Sequence, residues 1–231
     1  PMETVDGLGM LKVDFLGLRT LTHMRKACDL IEQWHGERLN LFNIPYERTP
    51  DDPEQDAKVQ RLYELLASGE TTGVFQVEGA GMRRTLQELR PSQFQHIVAV
   101  LALYRPGPME QIPSYIRRLH GEEEVEYRDP ALAEILSDTY GICVYQEQIM
   151  QAAMQLAGYE ASEADSLRKA IAKKKEKALQ EHRTKFIEGA KTHSQVSERD
   201  AALIFDDWEE FARYGFNKSH AADYGVIAVQ T

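Results

Sequence analysis

Leu167-Arg-Lys-Ala-Ile-Ala-Lys-Lys-Lys175 has the period of a helix. Leu167 and Ile171 stand four apart and turn toward a core, while Arg168, Lys169 and Lys173 share a broad face on another side. The same period recurs on both flanks. In Gln146 to Ala157 it places Ile149, Met150, Ala153, Met154 and Leu156 on an apolar stripe. The spacing predicts helices over 131–137, 146–157, 162–175, 177–192 and 197–213, and from 218 onward. Upstream it predicts helices over 57–68, 79–89, 92–103 and 111–120, the second of these ending before Pro91. The fold class is mainly α.

One segment breaks this pattern. In Met10-Leu-Lys-Val-Asp-Phe-Leu16 the apolar Leu11, Val13 and Phe15 alternate with Lys12 and Asp14, the period of a strand. Gly17 ends the run, and from Leu18 to Trp34 the period is helical up to Gly36. Strand, tight turn and helix are expected, with a short β edge that belongs to a different layer. Val74-Phe-Gln-Val77 reads as a second, shorter extended piece. Residues 39–54, rich in Pro and Asp, form the clearest internal boundary, and Arg105-Pro-Gly-Pro108 is a rigid turn.

The 231 residues are 42% hydrophobic and 28% charged, a balance that supports a packed core rather than disorder. Mean hydropathy is −0.48, and no apolar run approaches the roughly 18–20 residues of a membrane span. Cys28 and Cys143 lie far apart without a CxxC partner, which excludes a zinc ribbon or disulfide framework and fits a reducing cytosol. Pro1 to Asp6 has no basic or apolar region of a secretory signal. A soluble, intracellular chain is expected. Ala228-Val-Gln-Thr231 carries no helix-stop signal, so an excised piece of a longer protein is expected.

Net charge is −10, which argues against a protein that coats nucleic acid generically. The charge is unevenly spread. Residues 167–191 hold nine basic and three acidic residues, net +6, whereas 1–166 carry −12 and 192–231 carry −4. One basic stretch in an acidic body points to a local polyanion contact, and a solvated helix face fits the charge equally.

Three places carry candidate chemistry. Asp14 is a carboxylate on a rigid strand, the donor type that hard Mg²⁺ prefers, but no Asp-x-Asp partner lies near it. Arg168 and Lys169, with Lys173, Lys174 and Lys175 beyond, could hold a triphosphate or backbone phosphates. In Tyr214-Gly-Phe-Asn-Lys-Ser-His220, Ser219 can cap the last helix, and Lys218 and His220 beside a helix N-terminus offer an anion site. Lysines compatible with the helix dipole and a plain helix cap remain the alternatives.

Six motifs in order make the pattern specific: Lys12-Val-Asp-Phe-Leu-Gly-Leu-Arg-Thr-Leu21, Thr71-Thr-Gly-Val-Phe-Gln76, Leu103-Tyr-Arg-Pro-Gly-Pro108, Tyr140-Gly-Ile-Cys-Val-Tyr-Gln-Glu-Gln148, Leu167 to Lys175, and Tyr214 to His220. With them the chain resembles the α (polymerase) subunits of bacterial replicative DNA polymerase III, the C family. The resemblance implies that residues 1–18 end a polymerase-β-like palm and that 19–231 are a C-terminally truncated fingers domain. It implies a DNA-directed DNA polymerase with two Mg²⁺ ions, in which Asp14 matches the third metal aspartate and the other two are missing here. By the same resemblance Lys12, Arg168, Lys169, Lys218, Ser219 and His220 would contact the phosphates of the incoming dNTP. Lys173, Lys174 and Lys175 would be candidates for the DNA backbone. Many family members have Arg at the position of Lys169, and Lys loses the bidentate fork. Implied partners are primer–template DNA and dNTPs, with other replicase subunits and the sliding clamp bound through regions outside this chain. A bacterial, cytoplasmic and nucleoid-associated location is implied, with no membrane. The chain alone is expected to be inactive, since one carboxylate cannot organise two metals. A non-catalytic nucleic-acid or protein-interaction module is the alternative, and the motifs do not separate a replicative from an error-prone polymerase.

Overall fold

The computed structural model describes residues 2–10, 17–173, 176–211 and 215–231. They are mainly helical, and among them there is no strand, only an isolated parallel bridge between Tyr145 and Phe216. The expected β edge at Met10–Leu16 falls on 11–16, outside the described residues, so neither that edge nor a palm layer is supported. The chain divides into two compact units between Ile44 and Pro45, inside the Pro- and Asp-rich loop.

In the first unit, α1 (Met2–Gly7) precedes α2 (Arg19–His35). Met24 and Cys28, four apart on α2, are its buried residues. Gly36 stops the helix by adopting φ 71°, and its N–H donates to the Glu32 carbonyl.

The second unit starts with α3 (Pro53–Ser68), which begins four residues before the apolar period does. Asp52 caps it by accepting from the Gln55 N–H, and Pro53 supplies a preset φ at the first helical position. Next come α4 (Ala80–Leu89) and α5 (Phe94–Leu103). The Val74–Val77 piece between α3 and α4 is a turn and not extended. Gln76 takes φ 65°, and the Thr71 hydroxyl donates to the Val77 carbonyl at 2.6 Å, closing the chain on itself. α5 is apolar on all sides and buried along most of its length, as expected of a helix surrounded by others. After α6 (Ile112–Leu119), the helix expected over 131–137 is α7 (Ala133–Leu136) between two 3₁₀ turns. Five helices follow: α8 (Gln146–Ala157), α9 (Ala161–Ala172), α10 (Glu176–His193), α11 (Glu198–Phe211) and α12 (Lys218–Gln230).

Two apolar cores organise this unit. The first gathers α3 to α6 with the chain at Ile142–Tyr145 and Ala221 and Val229 of α12. The second gathers α7 to α11 around Phe186, Phe205 and Trp208, with the Phe186 and Trp208 ring centroids 4.6 Å apart. α10 crosses α8 closely at Gly189, where a Cβ would sit 2.5 Å from the Ala157 carbonyl oxygen. Residues 142–148 pass from one core to the other.

His96 of α5 is buried in the first core. The Ser92 N–H donates to its Nδ1, so Nε2 carries the proton and donates to the Tyr140 hydroxyl at 3.1 Å. Burial pushes its pKa down from 6.5 to about 4. Between those values the unfolded chain binds a proton that the folded chain does not, so stability is full above pH 6.5 and falls as pH drops toward 4. The expected slope is on the order of 1 kcal/mol per pH unit, and denaturant titrations of the chain and of a His96→Gln variant over pH 4–7 measure it. The slope should be smaller in the variant.

Candidate functional site

Three elements meet where the two cores adjoin. α9 starts in a reciprocal cap between Glu160 and Glu163, and Leu167 and Ile171 bury its inner side. That fixes Arg168 and Lys169 on its outer side. Asp165, three and four residues earlier, lies between them: Oδ1 accepts from Arg168 Nη2 at 2.6 Å, and Oδ2 pairs with Lys169 Nζ at 2.6 Å. Lys169 and then Arg168, as hydrogen-bond donors, hold the Asp165 carboxyl below its usual range. It is ionised at neutral pH.

Arg168 also reaches out of its helix, with Nη1 donating to Gln146 Oε1 of α8 at 3.2 Å. Gln146 passes the connection on. Its Nε2 donates to the Gly215 carbonyl at 3.1 Å and its backbone N–H to the Phe216 carbonyl at 2.9 Å. The neighbouring Glu147 binds the start of α12, accepting from Asn217 Nδ2 at 2.6 Å and from the Lys218 backbone N–H at 3.0 Å. Asn217 is the N-cap, since its Oδ1 accepts from the His220 N–H at 2.8 Å. The basic face of α9 and the first turn of α12, about fifty residues apart in sequence, are thus joined through two adjacent side chains of α8.

Gln148 makes this junction rigid. It is buried, its Oε1 accepts from the Val144 and Tyr145 N–H groups, and its Nε2 donates to the Ile135 carbonyl and the Thr139 hydroxyl. All the polar capacity of the amide is used, as burial demands.

A row of rings runs along α12. The His220 imidazole lies between Phe216 at 5.4 Å and Tyr224 at 4.4 Å, and Phe75 lies 5.3 Å beyond Tyr224. The Arg105 guanidinium sits 4.2 Å over Phe216. Lys218 Nζ lies 5.4 Å over Tyr145 and 3.8 Å from Asp138.

The structure therefore links Arg168 and Lys169 of α9, through Asp165 and Gln146, to the chain that enters α12, whose first turn holds Lys218, Ser219 and His220. Lys173 is exposed at the C-cap of α9, which ends at Ala172 and not at 175 as expected. Lys174 and Lys175 lie outside the described residues, as do Lys12 and Asp14. Among the described residues no group of three or more His, Cys, Asp or Glu side chains could hold a metal ion. The described residues thus do not fit a two-metal centre. What they offer is cations, a helix N-terminus and stacked rings, a set suited to holding an anion rather than to acid–base chemistry. No described helix is long and apolar enough to cross a membrane.

The sequence reading missed Asp165, Gln146, Glu147, Phe216 and Tyr224. Asp165 was readable, since an acid three and four residues before Arg168 and Lys169 meets both on a helix. Gln146 and Glu147 lie in one of the six motifs, but nothing local marks their roles, because their partners lie 22 and 69 to 71 residues away.

A family model described as the finger domain of the bacterial DNA polymerase III alpha subunit matches residues 20–194. Among curated relatives, a DNA polymerase III subunit alpha of Thermus aquaticus is 50% identical over 235 residues, covering 100% of this chain and 18% of that protein. One of Halalkalibacterium halodurans is 48% identical, covering 99% of the chain and 19% of the relative. One of Bacillus subtilis is 45% identical, covering 99% and 20%. The chain spans about a fifth of the length of these relatives.

Proposed function

Because the chain belongs to the bacterial DNA polymerase III alpha subunit finger family, we propose that it serves a template-directed DNA polymerase as the segment that grips the incoming dNTP and the primer–template. Residues 19–231 are read as fingers and 1–18 as the end of the palm. The observation that carries this reading is the joining of the α9 cations to the α12 N-terminus through Gln146 and Glu147.

In this reading Arg168 and Lys169 hold the triphosphate, Arg168 with its planar fork and Lys169 as a point charge. Lys218, Ser219 and the first turn of α12 add donors at a positive helix end, and His220, fixed between two rings, flanks the nucleotide. Lys173, with Lys174 and Lys175, meets DNA phosphates, so affinity for DNA depends on salt. By the family resemblance Lys12 would contact the dNTP phosphates and Asp14 would be a metal aspartate of the palm. Asp14 would thus be one of the residues that hold Mg²⁺ in the whole polymerase, where the ion would supply Lewis-acid activation and charge neutralisation. These residues alone give no primer extension. The remaining replicase subunits and clamp belong to regions beyond this chain, in a bacterial cytoplasm.

Single-turnover nucleotide incorporation by the complete subunit tests this. Arg168→Ala with Lys169→Ala is expected to raise the apparent Kd for dNTP by about 10- to 100-fold, the loss of one or two charge-assisted phosphate contacts. DNA affinity should change much less. An unaltered dNTP Kd would refute the assignment.

A further inference from the structure

We propose that Asp165 and Glu147 are resident counter-ions of this site: each occupies donors that a polyphosphate would take, and together they set how tightly it binds. The proposal rests on the phosphate-binding reading above and adds two residues which that reading leaves without a role.

Both oxygens of each carboxylate are engaged. Asp165 takes Nε and Nη2 of Arg168 through Oδ1, and Lys169 through Oδ2. Glu147 takes the Asn217 amide through Oε1 and the Lys218 N–H, at the positive end of α12, through Oε2. The two carboxylates come from different helices, yet the Arg168–Gln146 hydrogen bond ties them to one location. They stand on the two features expected to attract an anion, the guanidinium fork and the helix N-terminus.

The pairs are built to exchange. The Asp165 and Arg168 side chains keep 33% and 30% exposure, and Lys169 keeps 60%. Ion pairs in such surroundings are weak, because water screens them and competes for both partners. A monoanion that displaces either carboxylate replaces like with like and gains nothing. A polyphosphate brings several charges and many acceptor oxygens against one charge from each side chain, so it gains by the exchange. The same carboxylates keep the cations ordered and nearly neutral while no ligand is bound. Chloride, carboxylates and single phosphates are thereby poor occupants. The class of ligand selected is a linear polyphosphate, as in a nucleoside triphosphate.

Asp165→Asn keeps the shape and removes the charge, and Glu147→Gln does the same at α12. The test is calorimetric titration of the 231-residue chain with inorganic triphosphate, and separately with inorganic phosphate. Thermal melts confirm that each variant is folded. Each variant is expected to bind triphosphate about two- to fivefold more tightly than the parent, the range set by removing one screened negative charge beside the site. Arg168→Ala should weaken it. If Asp165→Asn and Glu147→Gln bind more weakly or unchanged while Arg168→Ala weakens binding, the carboxylates only position the cations. The counter-ion proposal then fails and the phosphate site stands. If Arg168→Ala leaves triphosphate binding unaltered, or neither the parent nor the Asn variant binds it, the site reading and the proposal fail together. Equal affinity of the parent for phosphate and triphosphate would also overturn the proposed selectivity.

Discussion

Gln148→Ala is expected to lower stability by about 3–4 kcal/mol, a drop of about 10 °C in melting temperature. The side chain is buried and makes four hydrogen bonds, to the Val144 and Tyr145 N–H groups, the Ile135 carbonyl and the Thr139 hydroxyl. Truncation leaves these partners in a space that water does not readily fill, and an unpaired buried polar group costs about 1–3 kcal/mol. Gln148→Glu should not rescue the loss, because the carboxylate keeps the acceptor but places a charge in the core and gives up both donors. The effect is also local. Val144 and Tyr145 lead into Gln146 and Glu147, so the amide protons of 144 and 145 should exchange faster in the variant. A melting temperature within 2–3 °C of the parent would show that the junction is held by apolar packing alone.

Phe186→Ala is expected to cost about 4 kcal/mol. The ring is fully buried and touches both Phe205 and Trp208, so its removal opens a cavity at the centre of the second core. Phe186→Leu retains most of the apolar volume and should cost only about 1–2 kcal/mol. Denaturant unfolding followed by tryptophan fluorescence measures both, because Trp208 lies against the substituted position. Near-equal losses in the two variants would argue against a tightly packed core. The substitution also bears on function, because Leu167 and Ile171 seat α9 in the same core and thereby fix the height of Arg168 and Lys169.

These two residues show what the sequence made legible. The apolar period around Phe186 and around Leu167 and Ile171 marks helices directly, because side-chain burial repeats with the helical turn. Helix ends were legible where a capping residue announces them, as at Gly36, and less so where none does. α9 stops at Ala172 although Lys173 to Lys175 continue a favourable composition. The Val74–Val77 turn was hidden for a similar reason: the β-branched residues suggest extension, while Gln76 in a left-handed conformation and the Thr71 hydroxyl impose a turn. Within the candidate site the cations were legible as charge at helical spacing. Their partners were not. Gln148 reads as an ordinary polar residue at a helix start, and nothing in its neighbourhood reveals that its amide serves Ile135 and Thr139. Glu147 likewise reads as a helix-favouring acid, and only the fold brings it to the first turn of α12.

If the outer face of α9 and the first turn of α12 form one site for the phosphates of an incoming nucleotide, both should respond when it binds. Hydrogen–deuterium exchange on the complete subunit tests it most directly, with primer–template ending in a dideoxynucleotide, before and after the matching dNTP is added. With dNTP bound, exchange is expected to slow together in three segments: the second half of α9, residues 144–148 and the start of α12. The rest of the second core around Phe186 should exchange at an unaltered rate. Protection confined to one of the three segments, or absent from all of them while dNTP is bound, would contradict it.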